Sequence, residues 1–327
     1  MASLAPVILS GKPGLLLAPM EGVTDAPMRS LFGELGAFDL SVSEFIRVSQ
    51  EVPPAKTFLK HVPELATGSR TRQGLPVVVQ LLGGDPEKVA ASALVAVKLG
   101  AYAVDLNFGC PAPTVNRHDG GATLLKYPCR LGAIVAAVRQ AVPAHVPVSA
   151  KLRLGWDSID SIDENAAQAA AAGASWITIH GRTKAQGYAR PAHWEPIGRV
   201  RRALKIPIIA NGEIMTLDDF KRCREVTGCE HFMLGRGAMG NPLLPYLIAR
   251  EMGKKVADPF ATDWSSWLDR FLEHSAPFPQ RNPGYQLRRI KQWLSFAQKT
   301  GGITWFDEVK RSETLEEIRA GVRLATA

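Results

Sequence analysis

Cysteine is scarce in this chain, and what there is lacks the spacing of a metal or disulfide framework. Cys110, Cys129, Cys223 and Cys229 form no C-x-x-C pair and have no companion histidines at zinc spacing. That excludes a disulfide scaffold and a structural zinc site, and it sets the expectation of a reduced, metal-free, cytoplasmic protein. Long apolar runs are missing as well. No stretch approaches the ~18 residues of a membrane span, and Met1 to Gly14 lacks the basic segment and apolar core of an export signal, so neither insertion nor secretion is expected. Low-complexity segments are absent. Acidic residues are absent from one place in particular: between His274 and Phe306 there is no Asp or Glu, while Arg281, Arg288, Arg289, Lys291 and Lys299 fall in that interval.

What is present points to a large α/β enzyme. The 327 residues exceed one ordinary domain, and a (β/α)8 barrel of about 250 residues with an appendage accounts for the excess. Short β-rich runs at 15–20, 40–44, 77–81, 103–107, 148–152, 176–180, 207–211 and 231–235 alternate with helical segments such as 86–99 after Asp85 and 217–226 after Thr216. Strand then helix, eight times over, is the pattern of a parallel TIM barrel. The alternation stops near residue 252, which predicts a barrel domain over 1–252 and a small helical domain over 253–327. A net charge of +8 permits a polyanionic partner without requiring one.

The run Ala103 to Asn107 ends in Gly109-Cys110-Pro111. Proline cannot continue a ladder, so the strand should deliver the Cys110 thiol on a tight turn at its C-terminal end, where barrel enzymes do their chemistry. The other strand ends carry Met20, Glu44, Gln80, Lys151, His180 with Arg182, Asn211, and Gly235 with Arg236. Any one of these could be a satisfied core or surface group. Their recurrence at one end of successive strands predicts a common pocket, because buried polar groups without partners are costly. The loops Asn211-Gly212-Glu213 and Gly235-Arg236-Gly237 suit a phosphate, as the last two barrel loops commonly do. Residues 235–240 also fit G-x-G-x-x-G, but the Asn241-Pro242 that follows breaks the required βαβ context, so a dinucleotide fold is excluded there. A planar, phosphorylated redox cofactor meets these groups best, and flavin mononucleotide (FMN) is the one expected.

Seven stretches carry a family resemblance. In one-letter code they are LAPMEGVTD from Leu17, VQLLGGDP from Val79, DLNFGCPAPTVNRHDGGATLL from Asp105, KLRLGW from Lys151, IHGRTKAQGY from Ile179, IIANGEI from Ile208 and LGRGAMGNP from Leu234. In this order they resemble the tRNA-dihydrouridine synthases, flavoenzymes that reduce uridines in tRNA. The segment 285–295, with RIKQWLS inside it, is similar to the bacterial C-type branch acting on position 16 of the D-loop. The resemblance implies FMN in the barrel, NADPH or NADH as diffusible reductant, tRNA as partner and Cys110 as the acid that protonates C5. It also implies that Pro19 and Met20 pack on the flavin ring, with Asn107 reaching toward ring and substrate. Gln80 and Lys151 would meet the ring's polar edge, and His180, Arg182, Asn211, Gly212, Glu213, Gly235 and Arg236 would hold the remainder.

For the tail, a helical wheel puts Leu287, Ile290, Leu294 and Ala297 on one apolar face. Arg288, Arg289 and Lys299 lie opposite, with Lys291 on the flank. This positive strip, extended by Arg47, Arg153, Tyr188 and Asn107 at the barrel mouth, is the expected tRNA surface of a monomeric protein. A barrel flavoenzyme acting on a free pyrimidine, as dihydroorotate dehydrogenases do, is the alternative. It leaves the basic tail without a role, and a non-catalytic RNA-binding protein leaves Cys110 unexplained.

Overall fold

The computed structural model describes residues 7–116, 119–278 and 283–326. Eight strands close into a parallel barrel in sequence order: β1 (Gly14–Leu17), β2 (Leu40–Arg47), β3 (Val77–Leu82), β4 (Val104–Asn107), β5 (Val148–Arg153), β6 (Trp176–His180), β7 (Ile208–Asn211) and β8 (His231–Leu234). All eight expected strands are found. β2 runs on to Arg47, and β1 stops at Leu17 because Pro19 cannot extend the ladder. Met20 therefore sits in the loop, where its carbonyl accepts from the amides of Val23 and Thr24 at 2.9 and 3.0 Å.

The helices between strands begin where side chains can satisfy their free amides. Asp85 accepts from Glu87 N and Lys88 N at 3.0 and 3.1 Å and starts Pro86–Lys98. Thr216 and Asp219 form a reciprocal capping box that starts Leu217–Thr227. Inside the barrel, Leu16, Val42, Val78, Trp176, Ile209 and Met233 form their own apolar cluster. The opposite faces of the strands join a larger core shared with the surrounding helices.

Among the described residues, four helices follow the barrel: Trp264–Ser275, Pro283–Lys299, Phe306–Val309 and Leu315–Thr326. Arg281 lies outside the described residues. These helices share the barrel's outer core instead of forming one of their own. Trp267, Phe271, Trp293 and Leu294 are buried in the same cluster as Leu31 and Phe32 of the first barrel helix, Ala26–Glu34. The rings of Phe32 and Trp267 lie 6.4 Å apart between centroids. Burial of each such side chain contributes roughly 1.5–3 kcal/mol, so this contact fixes the tail against the barrel. Trp293 Nε1 donates to Met239 O at 3.0 Å. Backbones meet nearby: a Cβ on Gly302 would lie 1.8 Å from Gly240 O, so only glycine permits that approach. No helix among the described residues is long and apolar enough to cross a membrane.

Candidate active site

Strand periodicity builds the site. Side chains two or four residues beyond the interior cluster point the same way, toward the C-terminal mouth. The sequence puts Glu44, Gln80, Asn107, His180, Asn211 and Gly235 at those positions, with Lys151 in the same layer on β5. A cavity of about 500 Å³ opens there, within the size range of small-molecule sites. Cys110 lines it, and so do Pro19, Met20, Gln80, Asn107, Lys151, His180, Asn211, Gly212, Glu213, Gly235 and Arg236. A wider cleft of about 740 Å³ beside it shares Glu213, Met215, Gly237 and Thr300. It contains neither the thiol nor the lysine, so the smaller cavity is the one equipped for chemistry.

A hydrogen-bond relay positions the Cys110 loop. Asp105, buried in β4, accepts from Ser149 Oγ at 2.6 Å and Gln80 Nε2 at 2.7 Å. Gln80 Oε1 then accepts from Asn107 Nδ2 at 2.8 Å, and Asn107 Oδ1 accepts from the amide of Gly109 at 2.9 Å. A carboxylate can only accept, so it sets the direction of both amides and ends by holding the backbone next to the thiol. Asp105 was not singled out in the sequence, although it is the one acid in an apolar run on the inward-facing parity. Gly121, at φ +60°, packs behind the turn, where a Cβ would lie 3.0 Å from Cys110 O. Of the four thiols, Cys223 and Cys229 are buried in the core and Cys129 is exposed. Cys110 is half-buried, and burial raises its pKa above the ordinary thiol value, which keeps it protonated at neutral pH.

The cationic side is equally ordered. Lys151 Nζ donates to Asn211 Oδ1 at 3.1 Å, and Asn211 Nδ2 donates to Met233 O at 2.9 Å. Burial lowers the lysine to about 8. His180 is pushed well below its ordinary value by burial and then by the nearby cations Arg153, Lys151, Arg182 and Arg236, so its imidazole is neutral at pH 7. Tyr188 is 57% exposed at the rim. The guanidinium carbons of Arg153 and Arg236 lie 5.3 and 5.0 Å from its ring centroid.

Three arginines depart from the expectation. Arg182 is not among the cavity-lining residues: it is fully buried and bonds Ala189 O, Glu213 and the His180 ring, so it ties the wall together from behind. Arg153 is 2% exposed and donates to Gly109 O at 2.8 Å, Thr183 O at 3.1 Å and Gly187 O at 2.8 Å. It braces two loops and has little surface left for RNA. Arg289 is buried against the barrel, with Nε 3.2 Å from Asp25 Oδ2 and Nη2 donating to Val23 O at 2.5 Å. It docks the helix Pro283–Lys299 and is not part of an exposed strip. Arg288 and Lys299 are exposed, Lys291 is partly so, and Lys299 reaches the cavity rim. Arg47 is exposed and donates to Thr114 O at 3.1 Å.

Glu44 is a member of the cavity wall that was read only as a strand end. The register between β2 and β3 slips between Val42 and Phe45, and the Glu44 carboxylate accepts from Gly22 N at 2.5 Å. Burial raises its pKa from 4.5 to about 7. Between those two values the folded chain binds more protons than the unfolded one, so stability falls as pH rises through that window. Glu44→Gln should remove a penalty of roughly 3 kcal/mol at pH 8 and flatten the profile between pH 4.5 and 7. Urea unfolding of both proteins across that range measures it, and parallel profiles would contradict the assignment.

Fold and site together define a (β/α)8 enzyme with a protonated thiol and several cations lining one cavity at the barrel mouth. The chain belongs to the dihydrouridine synthase family, whose model matches residues 16–323. It is 46% identical over 307 residues to the tRNA-dihydrouridine(16) synthase of Shewanella oneidensis, covering 93% of this chain and 95% of that protein. It is 44% identical over 311 residues to the protein of that name from Neisseria meningitidis serogroup A, covering 94% and 93%. The tRNA-dihydrouridine(16) synthase of Pseudomonas putida is 44% identical over 307 residues, covering 93% and 94%.

Proposed function

We propose that the protein reduces the C5–C6 double bond of uridine 16 in the tRNA D-loop to 5,6-dihydrouridine, with FMN as bound carrier and NADPH or NADH as diffusible reductant. The observation that carries this reading is the Cys110 thiol standing in one cavity with Lys151 and Arg236, in a chain whose near full-length relatives bear that name. The donor set suits the cofactor: an ammonium and a guanidinium are interspersed with apolar Met20, Ile214 and Met233, as a flat ring with an anionic tail requires. Arg236 and the Gly212 and Gly235 loops would meet the phosphate, and Pro19 and Met20 the ring.

A flavin bound there supplies hydride to C6. The protein supplies the rest. The Cys110 Sγ–H bond breaks as its proton passes to C5, and burial ensures that the proton is present beforehand. The Asp105 relay keeps the Gly109–Cys110 turn from drifting. Lys151, at about 8, is mostly charged at neutral pH and stabilises negative charge at the cavity floor. Residues 1–252 thus carry the chemistry. Residues 253–327 grip tRNA through Arg288, Lys291 and Lys299, aided by Arg47 and Tyr188 at the mouth, in a monomer working in the cytoplasm.

Incubation of the purified chain with NADPH and an unmodified tRNA transcript, followed by mapping of dihydrouridine, is the direct test. Product at position 16 is expected. Reduction of free uridine without tRNA would move the protein to the free-pyrimidine class, and a preparation without flavin absorbance would defeat the redox reading.

A further inference from the structure

Trp156 stands just outside the cavity with two cations on one ring. Lys126 Nζ lies 4.0 Å and Lys184 Nζ 4.1 Å from its centroid. The three residues come from separate segments, the helical turn Gly121–Lys126 after β4, the β5 loop and the β6 loop. Neither lysine has an ion-pair partner among the described residues. Two ammonium groups so placed lie within about 8 Å of each other, inside a screening length, and repel. An anion drawn to both offsets that repulsion.

The frame beneath the three side chains is built before any ligand arrives. Lys184 N donates to Gly155 O and Ala185 N to Trp156 O, both at 2.8 Å, so the β5 and β6 exits are zipped together. On one side of the zip Arg153 and Tyr188 line the cavity; Trp156 and Lys184 are not part of that lining. In a closed eight-stranded barrel β5 lies across from β1, and β1's loop is where the C-terminal helix docks through Arg289. The cavity therefore has two rims. Phe296, Lys299 and Thr300 form the helix side, and the β5–β6 exits form the other. A polynucleotide that buries one base in the cavity crosses both.

We infer that Lys126, Trp156 and Lys184 form a docking platform for the RNA strand flanking the reacting nucleotide, with the lysines on its phosphates and the indole holding both ammonium groups in place. This rests on the tRNA reading above and adds the surface that receives the strand on the far rim. Phosphate contact by paired lysines is the chemistry that single-stranded RNA meets in sequence-tolerant sites.

The experiment titrates unmodified tRNA onto flavin-loaded protein over a series of salt concentrations. Wild-type binding and dihydrouridine formation are measured first, so failure of the tRNA reading would appear there and not in the variants. The Lys126→Ala/Lys184→Ala double variant should flatten the slope of log affinity against log salt by roughly two, and each single variant by roughly one. The Lys126→Arg/Lys184→Arg variant should keep the wild-type slope. Trp156→Leu should weaken binding by roughly two- to fivefold with the slope unchanged, and flavin content checks that each variant folds. An unchanged slope in the double alanine variant would overturn the platform. So would a raised KM for NADPH with an unchanged tRNA slope, which would give the phosphate to the reductant.

Discussion

Cys110→Ala should leave an enzyme that folds, holds flavin, oxidises NADPH and binds tRNA, yet passes its reducing equivalents to uridine about 100- to 10,000-fold more slowly, the usual scale of general acid catalysis. The thiol takes no part in the earlier steps. It lines the cavity without carrying the wall, since the turn is held through its backbone by the Asn107 bond to Gly109 and by the Ala122 amide on Cys110 O at 3.1 Å. Cys110→Ser should rescue little, because a hydroxyl is a far weaker acid than a thiol. Mixing pre-reduced protein with unmodified tRNA in a single turnover reads the step directly. Near wild-type reoxidation by the alanine variant would remove Cys110 from the mechanism. A loss of thermal stability with unchanged rate per folded molecule would make it a packing residue.

Arg289→Ala should destabilise the protein by about 3–5 kcal/mol, the range for breaking a buried ion pair from one side. Asp25 caps the helix Ala26–Glu34 and loses its guanidinium partner while remaining buried, and Val23 O loses a donor. The salt dependence of tRNA binding should hardly change. Arg288→Ala, one residue earlier and exposed, should do the reverse, with stability kept and the salt slope reduced by roughly one. Chemical unfolding together with salt titrations of both variants tests the pair. A reduced slope in Arg289→Ala at wild-type stability would return that residue to the RNA surface.

These two arginines mark where the sequence stops being readable. A wheel places both on the polar half of the helix, yet they point about 100° apart, and only the position of Asp25 decides which turns inward. The barrel itself was legible because its signals are local: inward-facing parity, Asp85 and Thr216 at helix starts, Pro19 and Pro111 ending strands. The cavity lining followed from that parity, so strand-end residues from Gln80 to Arg236 came out together. Arg153 and Arg182 show a different limit. Their type suits anions, but their partners are backbone carbonyls of loops, at Gly109, Thr183, Gly187 and Ala189, and carbonyl positions leave no mark on the sequence. Trp156 drew its lysines from 30 residues before and 28 after, a meeting that only the closed barrel arranges.

The chain from Asp105 through Gln80 and Asn107 to Gly109 has a polarity, like a sentence that can be read only one way because its first word is fixed. Each amide could be turned end for end at small cost in isolation; what forbids it is a terminal group with nothing to donate. The pose of a surface turn is therefore written in the ionisation state of a carboxyl below it. Burial already draws that carboxyl toward its neutral form, with Ser149, Gln80 and Lys151 opposing. A proton arriving there would make the first word ambiguous, free both amides to flip, and loosen the Cys110 thiol without touching it.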